Sequence, residues 1–137
     1  MALAPTKKRL LEILPDEHVK ELVNVVDGAI DYWLLGDPDL DKSTLPDDAH
    51  FAGLAIETGS DTEPPDKVVI TTEQIREAYG KLLDLDQDFV GPRIHGYIIE
   101  SYRDRDKETQ LIELVHIDGD AYDCIMQIAA FGKLVYG

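Results

Sequence analysis

Between Pro15 and Asp66 the chain carries 14 acidic side chains and only two basic ones, Lys20 and Lys42. Isolated carboxylates are not buried in a low-dielectric interior, so any element formed there must keep its acids in water. Such elements are therefore amphipathic or are loops. The other segments are nearly balanced: residues 1–14 net +2, 67–106 net −2 and 107–137 net −3, against −12 for 15–66. Together they make the overall −15, which is more than solubility asks of a domain this small.

The charge excludes some partners. A pI near 4.4 rules against direct, phosphate-led nucleic-acid binding, which relies on clustered Lys and Arg. Anionic membrane surfaces are disfavoured for the same reason. At 137 residues and 44% hydrophobic content the chain is expected to form one domain, spanning 1–137, with a real core. The lone Cys124 cannot make an internal disulfide, and no apolar run reaches the roughly 18 residues of a membrane span. Leu10, Leu11, Ile13 and Leu14 follow Lys7, Lys8 and Arg9, but Glu12 and Pro15 cut that stretch too short for a signal peptide. A soluble cytoplasmic protein is the expectation.

Apolar spacing predicts about four helices and a small antiparallel β-hairpin, a mostly helical α+β domain. Val19, Leu22, Val23, Val26, Ile30, Trp33 and Leu34 recur every three or four residues and predict one helix from about Asp16 to Leu35. Its outer face would carry Glu17, Glu21, Asp27 and Asp31. An acidic loop, Gly36 to His50, follows, with Asp37, Asp39, Asp41, Asp47 and Asp48. Strands are predicted at His50–Thr58 and Lys67–Thr71, paired across a Gly59–Asp66 loop. Thr71-Thr72-Glu73-Gln74 reads as a capping box opening the next helix, Gly91-Pro92 starts another, and Asp118 or Asp120 caps the last. Leu111–Ile117 fits either a helix extension or a strand.

Motifs for chemistry are incomplete. Asp37, Asp39, Asp41 and Asp84, Asp86, Asp88 both have the spacing that opens a calcium loop. Such a loop also needs Gly sixth and Glu twelfth, where the chain has Lys42 and Asp48, and then Phe89 and His95. His116 with Asp118 and Asp120 suggests a metal or an acid–base site, but helix capping accounts for the aspartates. Cys124 lies on the apolar face of the last predicted helix, the setting of an inert thiol. No nucleophile elbow, phosphate loop or dinucleotide fingerprint occurs. The expectation is a non-enzyme with no cofactor and no metal.

Residues Val26-Asp27-Gly28-Ala29-Ile30-Asp31-Tyr32-Trp33, and the closing stretch from Asp118-Gly119-Asp120-Ala121-Tyr122-Asp123-Cys124 to Gly137, resemble two blocks of a family of small acidic proteins. That family occurs in actinobacteria, related mobile elements and their phages, and has no established activity. The resemblance implies a phage or mobile-element setting. In charge and context the chain is similar to DNA-mimicking antirestriction and anti-CRISPR proteins. Its acids, Glu17, Glu21, Asp27, Asp31, Asp37, Asp39, Asp41, Asp47 and Asp48, are then the expected contact with the basic surface of a DNA- or RNA-binding host protein. The alternative is a structural or accessory protein that self-associates, as a homodimer for example. An acid-rich surface suited to high salt, or one with no role, also fits the composition.

Overall fold

Thr71 begins the element around which the others assemble. Its hydroxyl accepts from the Gln74 amide at 3.2 Å, and the Gln74 side chain accepts from the Thr71 amide at 2.8 Å. This reciprocal cap launches a helix over Thr72–Leu83, the third of five among the described residues of the computed structural model. The structure describes residues 5–58 and 67–137, so the predicted Gly59–Asp66 loop lies outside the described residues.

The helices are α1 (Lys7–Ile13), α2 (Asp16–Val23), α3 (Thr72–Leu83), α4 (Pro92–Arg103) and α5 (Gly119–Phe131). Strands β1 (Leu34–Leu35), β2 (Ala49–Ala55) and β3 (Lys67–Thr71) form one antiparallel sheet in that order. The result is a single α+β domain. Helix α3 touches each of the other four helices and β3. Its stripe of Ile75, Ala78, Tyr79, Leu82 and Leu83 is buried throughout, as the spacing predicts. Tyr79 reaches Ser101 of α4 at 2.6 Å, and because the Ser101 hydroxyl donates to the Ile98 carbonyl, the phenol is the donor. Among the described residues no helix is long and apolar enough to cross a membrane.

Five expectations are corrected. The single helix from Asp16 to Leu35 does not form: α2 ends at Val23, where the Asn24 side chain turns back and donates from Nδ2 to the Lys20 carbonyl at 3.0 Å. Gly28 then takes a left-handed conformation at φ +77°, which a helix interior does not use. The chain continues through turns to β1, which sequence reading lacks, and the strand expected at His50–Thr58 stops at Ala55. A further helix, α1, precedes the predicted set; Thr6 caps it by accepting from the Arg9 amide at 3.1 Å. Leu111–Ile117 is neither helix extension nor strand. It is irregular with a 3-10 turn at Leu114–His116, fixed by Ile112 N–H to the Ile13 carbonyl at 3.1 Å.

Two sheet details place the acidic loop. A Cβ on Gly53 would lie 2.1 Å from the Leu35 carbonyl oxygen, so the backbone leaving β1 passes where β2 would carry a side chain. Only glycine permits that approach. At the other end, the register shifts between Ala49 and Phe51, opposite Thr71 and Ile70, which makes His50 the extra residue of a β-bulge.

Candidate functional site

The predicted acids do not share one helix face. Because α2 stops at Val23, Glu17 and Glu21 stand on it, whereas Asp27 and Asp31 lie in the turns that follow. Three depressions with different lining residues collect seven of these nine carboxylates instead, and Glu21 and Asp31 line none of them.

The first, of about 460 Å³, lies where α2, β2 and α3 begin. Asp16, Glu17 and Lys20 face Asp47, Asp48 and His50 across it, with Thr72 beside them. The bulge aims His50 at Thr72, Nε2 to Oγ1 at 2.7 Å, and Thr72 N–H bonds the Asp48 carbonyl at 3.0 Å. Burial pulls the His50 pKa below its ordinary value, against the opposing pull of Asp48 and Asp16. The neutral ring accepts the Thr72 proton at Nε2, or donates to the Thr72 oxygen from that nitrogen in the other tautomer. Asp16 pairs with Arg76, whose guanidinium is almost wholly buried and also bonds Glu73 at 2.9 Å and the Leu14 carbonyl at 2.8 Å. Glu17 pairs with Lys20 at 3.2 Å in the open. Glu21 is not brought to this depression and faces His18 Nδ1 at 3.1 Å on its own helix.

The second depression, about 390 Å³, joins Asp27 and Tyr32 to Asp120 and Asp123 of α5. Asp123 accepts from the Tyr32 hydroxyl and from Trp33 Nε1 at 2.8 Å, so it anchors the exposed tyrosine and the core tryptophan together. Burial and that carboxylate hold the Tyr32 phenol well above its usual range. Asp31 and Asp27 act on Tyr122, whose phenol is pushed up to about 12, chiefly by burial. Asp118, Asp120 and Asp123 lie outside the segment to which sequence reading confined the excess acid. The signal in the sequence is their spacing along one helical turn, of which capping accounts for Asp118 alone.

The third, about 270 Å³, lies between the 37–46 loop and β3. Asp37 accepts from the Asp39 amide at 2.9 Å, and Asp41 caps the 3-10 turn at Lys42–Thr44, accepting from Ser43 N–H at 3.0 Å and Ser43 Oγ at 2.6 Å. Those Ser43 bonds hold the Asp41 carboxyl below its ordinary pKa. Asp84 accepts the Asp86 amide at 2.9 Å in the same way. Among the described residues no group of three or more His, Cys, Asp or Glu is placed to hold a metal ion.

Neutralisation is sparse. Among the described residues, Asp27, Asp31, Asp37, Asp39, Asp41, Asp47 and Asp48 form no ion pair, and all but the half-buried Asp37 are exposed. Cys124 is half-buried and packs against the core; burial and then Asp123 push its thiol up to about 11, the opposite of an activated nucleophile. No protein family, curated protein or solved structure matches the chain.

Proposed function

We propose that the protein is a non-enzymatic acidic binding protein of the cytoplasm, a DNA mimic that occupies the basic surface of a DNA- or RNA-binding host protein of defence or repair. The observation that carries this reading is a run of aspartates between residues 27 and 48, Asp27, Asp31, Asp37, Asp39, Asp41, Asp47 and Asp48, none of which forms an ion pair among the described residues. Like-charge crowding opposes compact folding, and an external cation relieves it. Lys and Arg of a nucleic-acid groove supply such cations at the spacing that phosphates demand. The loose sequence resemblance to small acidic phage and actinobacterial proteins supports the same setting.

The test is capture of partners from a host lysate on the immobilised protein, at low and high salt and with duplex DNA as competitor. The reading expects nucleic-acid-binding proteins that salt and DNA both release, and weaker capture by Asp37→Asn/Asp39→Asn/Asp41→Asn. Capture indifferent to DNA and to the triple substitution overturns it.

Self-association is supported by an observation of its own. Leu35 and Ile56 are exposed at 49% and 36%, next to the paired ends of β1 and β2, and Tyr32 is exposed at 48%. Sedimentation equilibrium decides: this reading expects a mass that rises with concentration and ignores the triple substitution.

A further inference from the structure

We propose that the groove between the 37–46 loop and β3 is a socket for an arginine side chain of the basic partner; the proposal rests on the binding reading above and specifies how contact is made. Leu40 and Leu45 are half-buried yet stand outside the main core, and with Pro46 and Val69 they give the groove apolar walls. Asp37, Asp39 and Asp41 line the same groove. Asp39 has no side-chain partner among the described residues, and hydrogen bonding to Ser43 keeps Asp41 in its charged form.

Apolar walls with carboxylates beside them complement a side chain whose own halves differ. Arginine buries a three-carbon stem and presents a planar cationic fork that pairs with carboxylates two bonds at a time. The groove, about 270 Å³, lies at or below the lower end of the roughly 300–1,000 Å³ typical of small-molecule sites, which suits one long side chain better than a metabolite. Lys67 is the cation among the lining residues and opposes the incoming guanidinium. A groove that merely stored negative charge would not need the leucines. Lysine fits less well because its ammonium is a hydrated point charge without the fork.

The experiment is a backbone-amide NMR titration of the full chain with acetyl-Gly-Ser-Arg-Ser-Gly-amide, and with the same peptide carrying lysine or citrulline. Expected are saturable shifts centred on residues 37–46 and 67–69, several-fold weaker binding of the lysine peptide, and no binding of the neutral citrulline peptide. Leu45→Ser, which keeps every charge, should weaken the arginine peptide several-fold, and Asp39→Asn, at an exposed position, should do the same. Lys67→Gln should strengthen it. Arginine and lysine peptides that bind equally, with shifts spread over all three depressions, overturn the socket and leave the electrostatic reading standing. Absence of shifts with any peptide overturns the socket too; the lysate capture, run separately, then shows whether the binding reading falls with it.

Discussion

Trp33 Nε1 donates to Asp123 Oδ1 at 2.8 Å, joining two residues 90 positions apart. The indole is fully buried, and Gln127 Nε2 donates to the same carboxylate oxygen at 3.1 Å. Gln127 Oε1 accepts from the amides of Val135 and Tyr136 at 2.8 Å each, which lays the Tyr136 ring flat on Trp33 at 5.5 Å between centroids. Asp123→Ala strands the indole N–H and is expected to cost about 1–3 kcal/mol, the desolvation penalty of an unpaired buried donor. Asp123→Asn keeps an acceptor and should cost clearly less. Urea denaturation followed by circular dichroism measures both; equal costs would show that packing, not the hydrogen bond, holds Trp33.

Gly53→Ala places a Cβ 2.1 Å from the Leu35 carbonyl oxygen; that oxygen belongs to backbone and the Cβ is fixed directly on it, so neither yields cheaply. A loss of about 1–3 kcal/mol or more is expected, as for overpacking of a tight site. Gly36→Ala is the control: nothing lies within 4 Å of its Cβ. Thermal unfolding of the two variants should separate them widely.

Acidification should reveal His50. Its folded pKa is depressed, chiefly by burial, so the native state prefers the neutral ring. The unfolded chain then binds the proton more readily, and stability from this group is whole above about pH 6.5 and is lost as pH falls through the folded value. The stability of the wild type minus that of His50→Gln, from urea titrations at a series of pH values between about 7.5 and about 5.5, should decrease towards the acid end. An increase would reverse the assigned sign.

Cys124, with its thiol pushed up to about 11, should react sluggishly with an aromatic disulfide reagent. At about pH 8 its thiolate fraction is on the order of a thousandth, against roughly a quarter for a free thiol; the greater nucleophilicity of a high-pKa thiolate returns part of this, leaving roughly tenfold slower reaction. Reaction as fast as free cysteine would contradict the burial of the thiol.

Local chemistry was legible in the sequence at three helix starts, though not at Thr6, whose cap opens the unpredicted α1. The Thr71–Gln74 box, the Gly91-Pro92 start and the Asp118 cap all form, the last accepting from the Ala121 amide at 2.8 Å. The spacing from Val19 to Leu34 was misleading because periodicity reports burial before it reports helix. Ile30 and Trp33 are indeed core residues, 3% and 0% exposed, but they reach the core from turns. Asn24 and the Asp27-Gly28 pair were the stop signals within that run. Strand β1 has two residues, too few for any pattern, and α1 has seven, three of them the bases that open it. The grouping of the acids was out of reach for another reason. Which carboxylates become neighbours is decided by tertiary approaches, such as α5 packing Asp120 and Asp123 beside Asp27, that no local spacing encodes.

The stacking of Trp33 beneath Tyr136 has an optical consequence. Trp33 is the chain's single tryptophan, fully enclosed and hydrogen-bonded to a carboxylate, and it is absent from the residues lining the three acidic depressions. Intrinsic emission will therefore report unfolding of the interior and stay nearly silent when a cationic ligand settles between the 37–46 loop and β3, whereas a cation that engages Asp123 acts on the indole's own partner. A change in emission colour on adding a partner would mean that the partner has reached Asp123 or that the interior itself has rearranged.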